Sequence, residues 1–263
     1  MRLLIFLAAL CAATSAFSTP KLIAQDGSFF LDPGDGRVLA SGDLVGAVLM
    51  VASANGALLR VRIDAVQPHP QMPSLLLHDF RVESSPGEWT PLCSPDALGL
   101  RMGFPIAGGW DAQDRFVADP DQLFVSCTSG AQGKCVLFAY DPWKRGPQGE
   151  SLVPLYEACQ RMVRAAYCDN RGTTTDGTAI DYFDRLGIAR PETTGDASFA
   201  FEAGWTATGA VCVAHPRRPE LIGMPALLSA CPELANLPVC TEATAAKAGA
   251  ILFNRSRPIP ANP

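Results

Sequence analysis

The sequence is short of histidine and lacks every common catalytic signature. His69, His78 and His215 are its only imidazoles. It contains no Cys-x-x-Cys, no His-Glu-x-x-His, no Gly-x-Ser-x-Gly elbow, no phosphate loop and no dinucleotide fingerprint. These absences remove the spacings that zinc sites, serine hydrolases and nucleotide enzymes are built on. Internal repeats and low-complexity stretches are missing too. Positive charge is in deficit, with 21 Lys and Arg against 26 Asp and Glu and a formal charge of -5. That balance carries no basic footprint, so nucleic acid is not an expected partner. Beyond the first residues no apolar run approaches the eighteen or more of a membrane helix, so no transmembrane anchor is expected.

The first residues have a pattern of their own. Arg2 precedes an apolar stretch from Leu3 to Ala13, and Thr14-Ser15-Ala16 supplies the small residues a signal peptidase requires. This is the pattern of a secretory signal over residues 1–16. Cys11 falls inside it, but Leu10 stands where a lipid-attachment signal needs a small residue, so no lipid anchor is expected. The remaining cysteines, Cys93, Cys127, Cys135, Cys159, Cys168, Cys212, Cys231 and Cys240, form an even set in a chain bound for the periplasm or the exterior. Disulfides are the expected state there, with roughly 105 possible pairings. Cleavage leaves roughly 245 residues, enough for one large or two small domains. With 48% hydrophobic residues the chain can fill a core without help, so disulfides reinforce this fold and do not replace its core.

Residues 31–66 read as antiparallel strands. Turn residues Asp32-Pro33-Gly34-Asp35-Gly36 precede an apolar run, and Asn55-Gly56, the preferred pair of a two-residue hairpin, separates two more. Leu59, Val61, Ile63 and Ala65 then alternate with Arg60, Arg62 and Asp64, which sorts apolar and charged groups onto opposite faces. Leu75 to Val82 reads as a further strand, and Ser84 to Trp89 and Ala107 to Trp110 as loops. Leu123 to Cys127 and Cys135 to Tyr140 read as a second hairpin that a Cys127–Cys135 bridge could close.

From Ser151 the spacing changes. Leu152, Leu155, Tyr156, Cys159, Met162, Val163, Ala166 and Tyr167 recur every three or four residues, the period of an amphipathic helix. Ser151 can cap its start, and Pro154 is tolerated in the first turn. On one continuous helix Cys159 and Cys168 would lie about 13 Å apart at 1.5 Å per residue. A disulfide needs less than about 7 Å, so each must pair elsewhere. Shorter helices are expected over Ala226 to Ala230 and Thr241 to Ala250, and a frayed tail from Arg257. The expected fold is α+β. A leader (1–16) is followed by a β-rich region (17–140), then by a disulfide-linked helix-and-loop region (141–255) that can form one globular unit with it, and by a tail (256–263).

Several runs resemble the ADYC-domain proteins, an exported bacterial family named for an Ala-Asp-Tyr-Cys motif. They are Cys127-Thr128-Ser129-Gly130-Ala131, Gly133-Lys134-Cys135, Tyr140-Asp141-Pro142-Trp143 and, most specifically, Ala158-Cys159-Gln160-Arg161-Met162-Val163-Arg164-Ala165-Ala166-Tyr167-Cys168. The similarity continues through Asp176-Gly177-Thr178, Ile180-Asp181, Phe201-Glu202-Ala203-Gly204-Trp205 and Gly209-Ala210-Val211-Cys212-Val213, covering roughly 90–255. It implies a bacterial, exported, disulfide-bonded protein and no particular substrate, cofactor or reaction. Ala166 stands where the motif has Asp, so chemistry resting on that acid would be missing here.

The densest polar stretch follows the long helix. Asp169, Asn170, Asp176, Asp181 and Asp184, among Thr173, Thr174, Thr175 and Thr178, form a candidate ligand-binding loop with Gly172 and Gly177 as hinges. Such oxygens suit calcium, although the spacing is not that of an EF-hand. The alternative is a solvated loop whose Asp and Thr side chains make local turns. Trp143 and Trp205 are candidates to stack on a sugar or peptide, against the alternative of burial. His78-Asp79 is no dyad if it lies on a strand, where neighbours face opposite ways. His215 reads as an exposed loop residue. Asn254-Arg255-Ser256 matches a glycosylation triplet that also arises by chance. No catalytic residue or metal ligand is assigned. The expectation is a non-catalytic binding or interaction module of the envelope or exterior, with a glycan or protein partner. The alternative is a hydrolase of an extracellular polymer using carboxylates from 169–184.

Overall fold

The protein is described from a computed structural model that covers residues 19–53, 56–193 and 195–258. The leader with Cys11, Asn55 and the last five residues of the tail therefore lie outside the described residues. The fold is α+β, and its strand pairs are antiparallel throughout. β1 (Lys21–Gln25), β2 (Ser28–Asp32) and β3 (Leu39–Ala40) make a small sheet. β4 (Val48–Ala52), β5 (Leu58–Pro68), β6 (Leu76–Ser85), β7 (Glu88–Pro91) and β8 (Gly103–Ala107) follow. β9 (Gly109–Trp110) and β10 (Phe116–Val117) form a two-residue ladder, and β11 (Leu123–Cys127) returns to pair with β8. The large sheet thus runs β11-β8-β6-β5-β4, with β7 beside β6.

Two helices come next, α1 (Ala131–Leu137) and α2 (Val153–Arg164). β12 (Ile180–Asp184), β13 (Ala200–Thr206) and β14 (Gly209–Val213) precede α3 (Met224–Ala230) and α4 (Glu242–Lys247). β15 (Leu252–Ser256) then closes a second sheet of order β12-β15-β13-β14. A four-stranded sheet therefore occupies a region whose pattern showed only helix and loop. The largest core cluster joins Leu77, Phe104 and Ile106 of the first sheet to Tyr156 and Met162 of α2 and Trp205 of β13, so it runs across residue 141. Among the described residues no helix is long and apolar enough to cross a membrane.

β4 and β5 pair as a hairpin, with Ala52 opposite Leu58 and the Ser53 N–H donating to the Ala57 carbonyl at 2.8 Å, so the connection is longer than the expected two-residue turn. Gly56 takes a φ of +82° and donates its N–H to the Ser53 carbonyl at 2.8 Å. Leu59, Val61 and Ile63 face a core with Phe29, Leu44 and Phe80, as the alternation predicts. Ala65 does not. The register shifts between Ile63 and Ala65, which leaves Ala65 exposed and turns Val66 inward. One extra residue in a ladder exchanges the faces of all that follow.

Other expectations need correction. Ser84 to Trp89 is a tight hairpin from β6 into β7, and Ala107 to Trp110 ends β8 and forms β9. The second hairpin does not form. Cys135 lies on α1, Cys127 is bonded to Cys93, and Cys135 is bonded to Cys159. Gly133 permits this sharp return, because a Cβ there would meet the Cys127 carbonyl oxygen at 2.2 Å.

At the start of α2 the Ser151 hydroxyl accepts the Val153 N–H at 3.2 Å, and Pro154 sits in the first turn. The helix stops at Arg164, short of the Tyr167 its pattern reaches. Ala165 turns left-handed at φ 50°, Ala165 N–H bonds the Met162 carbonyl at 3.0 Å and Ala166 N–H the Arg161 carbonyl at 2.9 Å. These are the two bonds of a Schellman stop. Ala166 and Tyr167 keep the apolar period because they remain buried beyond it. Cys159 and Cys168 pair elsewhere as expected, Cys168 with Cys231, and Cys212–Cys240 completes the set. Closing loops of 24 to 63 residues, each bridge contributes about 3–4 kcal/mol by the chain-entropy relation.

Candidate functional site

The end of α2 is surrounded by two polar centres. On its inner side Arg217, 2% exposed, meets Glu202, 0% exposed, in a two-pronged contact: Nε to Oε2 and Nη2 to Oε1, both 2.9 Å. The same guanidinium caps the helix by donating to the Met162 carbonyl at 2.8 Å and the Val163 carbonyl at 3.1 Å. Tyr167 donates its O–H to Glu202 at 3.1 Å and accepts the Arg217 backbone N–H at 2.9 Å. Asn254 Nδ2 donates to Glu202 at 2.8 Å, and Trp205 Nε1–H donates to Asn254 Oδ1 at 2.7 Å. Burial opposes ionisation of Glu202, but the Arg217 charge and the hydrogen bonds outweigh it and hold the carboxyl below its usual range. The carboxylate is therefore paired, and the centre is closed to solvent.

The motif residues build this closed centre. Ala165 ends the helix, Ala166 is fully buried, Tyr167 bridges Glu202 and Arg217, and Cys168 is tied to Cys231. Gly209 packs on the motif, because a Cβ there would meet the Tyr167 carbonyl at 2.6 Å. That carbonyl accepts the Ala210 N–H.

The outer side of α2 is open. Glu157, Gln160, Arg161 and Arg164, at i, i+3, i+4 and i+7, share one helix face. With Trp110, Asp114, Gln132 and Asn170 they line a cleft of about 370 Å³. Trp110 is 37% exposed, and its ring is backed by Phe124 at 4.5 Å and Phe116 at 5.7 Å. Glu157 accepts the Phe116 N–H at 2.7 Å, yet burial pushes its carboxyl above the usual range. Desolvation, followed by the neighbouring Arg161 charge, lowers the Arg164 pKa. A second cleft of about 890 Å³ shares Ala131 and Arg164 with the first and reaches the Thr174 to Thr178 loop. There Asp176, fully exposed, faces Lys134 at 3.6 Å.

The candidate residues read from the sequence do not meet in one place. Asn170 lines the first cleft and Asp176 the second. Asp169 makes a local turn with Arg171. Asp181 and Asp184 lie on β12, three residues apart, and so face opposite sides of the sheet. Asp181 accepts the Glu192 and Thr193 N–H groups and the Thr193 hydroxyl. Asp184 accepts three backbone N–H groups and the Tyr140 hydroxyl. Trp205 is buried in the closed centre, and Trp143 packs half-buried against the main core. His78 faces inward, with Nε2 2.9 Å from Ser41 Oγ, while Asp79 faces outward to Arg81. His215 is half-buried and not exposed, and Asn254 is fully buried, which removes it as a glycan acceptor in the folded chain. Among the described residues one trio of potential metal-binding groups lies within 4.8 Å, Cys168, Cys231 and Glu233. Two of its sulfurs are joined in a disulfide.

Trp110, Asp114 and the polar face of α2 are thus the site residues that the reading by loops missed. The helix pattern contained the polar face of α2 as its complement. Nothing in the sequence marked Trp110, which reaches the cleft through the β9–β10 ladder.

Geometry and cross-links together define a disulfide-bonded α+β protein of the kind made for an oxidising compartment. A family model of the ADYC domain matches residues 41–219, and the chain belongs to that family. The match starts earlier and ends earlier than the 90–255 resemblance, taking in the whole of the large sheet and stopping before β15. No curated protein and no solved structure matches the chain.

Proposed function

We propose that the protein is an exported binding module, periplasmic or secreted, that holds a polyhydroxylated ligand of glycan type in the cleft beside Trp110. The observation that carries this reading is the joining of an exposed, rigidly backed indole to Glu157, Gln160 and Asn170 around one cavity. An apolar ring face with polar groups about it matches the alternating C–H and O–H surface of a sugar. The four disulfides and the leader pattern support export.

The test is calorimetric titration of the mature protein with soluble envelope oligosaccharides, repeated with Trp110→Ala. Binding about tenfold weaker in the variant, about 1.4 kcal/mol, is expected. Equal binding by both proteins overturns the reading. Titrations with calcium and with chelator examine the exposed Asp176 loop for cation dependence.

A second reading has its own observation. Glu157, whose carboxyl burial pushes above the usual carboxylate range, shares the cleft with Asp114, and two carboxyl groups across one cleft are the equipment of glycoside hydrolysis. Release of reducing ends, abolished by Glu157→Gln, would replace the binding module with a hydrolase.

A further inference from the structure

Arg161 and Arg164 are placed unusually for an acidic protein. Both are half-buried in the Trp110 cleft, and among the described residues neither makes an ion pair. They converge instead on a neutral oxygen: Arg161 Nη1 donates to Asn170 Oδ1 at 3.1 Å, and Arg164 Nη2 donates to the same atom at 2.5 Å. Arg164 also donates Nη1 to the Asn170 carbonyl and Nε to the Gln160 carbonyl, each at 3.1 Å. A guanidinium carries five N–H donors. Arg161 commits one and Arg164 three, so both keep unspent donors, and both side chains line the same cavity. Of the nearby acids, Asp114 accepts Asn170 Nδ2 at 2.9 Å and its charge favours the charged form of Arg164, while Glu157 accepts the Phe116 N–H; among the described residues neither lies at ion-pair distance from Arg161 or Arg164. Two like charges gathered on one uncharged amide repel each other, and an anion between them relieves that repulsion. By contrast, Lys134 of the neighbouring cleft already faces Asp176.

We infer that Arg161 and Arg164, oriented by Asn170, form an anionic subsite that takes a carboxylate or phosphate group carried by the saccharide ligand. The inference rests on the Trp110 cleft being the binding site and deepens it. Forked guanidinium donors match planar carboxylate and phosphate oxygens, which makes the contact selective as well as attractive.

The test does not require the natural saccharide. The arginine Nε–H signals and the Asn170 side-chain amide are followed by NMR while acetate or inorganic phosphate is titrated against chloride at constant ionic strength. A saturable shift at Arg161, Arg164 and Asn170 is expected with acetate or phosphate. It should weaken at least about tenfold in Arg161→Gln and partly recover in Arg161→Lys, which keeps the charge but loses the fork. The tighter of the two anions shows whether carboxylate or phosphate is the natural group. Shifts that are linear and equal to those in chloride overturn the subsite. So does saturation that survives Arg161→Gln unchanged. Neutral oligosaccharide binding lost in Trp110→Ala is read separately, so the subsite can fail while the glycan reading stands, or the reverse.

Discussion

The two polar centres at the end of α2 use the same residue types and differ in what they leave over. Inside, Arg217 spends its donors on Glu202 and on two helix carbonyls, and Glu202 is met by Tyr167 and Asn254 as well. Outside, Arg161 and Arg164 lean on one neutral amide, while Asp114 accepts that amide's Nδ2–H and Glu157 the Phe116 N–H. A network with every partner in place fixes an architecture. Charges left with spare donors in an open cavity are available to a ligand. The contrast gives the Ala165 to Cys168 motif a structural role, and on the proposed function it gives the polar stripe of α2 the binding role.

Truncating an arginine in each centre separates the closed centre from the open one. Arg217→Ala strands the Glu202 charge in the interior and should cost about 3–5 kcal/mol, read as a lower urea midpoint. Removing both charges at once, with Glu202→Leu and Arg217→Met, should recover much of that loss, because no unpaired charge remains. Arg161→Ala deletes one hydrogen bond at a half-exposed site and should cost about 1 kcal/mol or less. Equal losses from Arg217→Ala and Arg161→Ala would end the distinction between a closed and an open centre.

His78 supplies a smaller and opposite test, of burial without a charged partner. It is fully buried on β6, stacked on Phe80 at 5.4 Å, and burial depresses its pKa to about 4. The unfolded chain takes up this proton near pH 6.5, whereas the folded protein resists it until about pH 4. Its contribution is therefore fully present above pH 6.5 and is lost as pH falls towards 4, by up to about 3 kcal/mol. Stability curves at pH 7 and pH 4.5 should show this loss in the wild type and a smaller one in His78→Gln. An equal acid loss in both proteins would show that His78 does not remain neutral inside.

Much of this was legible in the sequence. The period of Leu155, Tyr156, Cys159 and Met162 located α2, the alternation of Leu59, Val61 and Ile63 located β5, and the cysteine count required bridges. What escaped had physical causes. The bulge after Ile63 depends on pairing with β6 and leaves no local mark. Cys127 and Cys135, eight apart, look like a natural pair until Gly133 lets the chain turn into a helix. The acids of the polar stretch drew attention by density, but Asp181 and Asp184 spend their oxygens on nearby backbone N–H groups. The cleft draws Trp110, Glu157 and Asn170 from separate segments, and no linear window contains such a site.

The finest distinction between the centres is the sign of their response to pH. Glu202, held below the usual range by Arg217, adds stability at neutral pH that disappears as the medium turns acid. Glu157, pushed up by burial, does the reverse: its contribution is full in acid, where folded and unfolded chains are both protonated, and is lost as pH rises through the folded pKa. Glu157→Gln removes that loss, since the amide stays neutral and can still accept the Phe116 N–H. The variant should match the wild type at pH 4 and exceed it at pH 7, by less than about 1 kcal/mol because the site is partly open to water. It should also bind the cleft ligand less well, since stabilising a functional site commonly weakens its function. Melting curves at the two pH values read the effect directly. A variant less stable than the wild type at pH 7 would show that Glu157 belongs with Glu202 as a structural carboxylate.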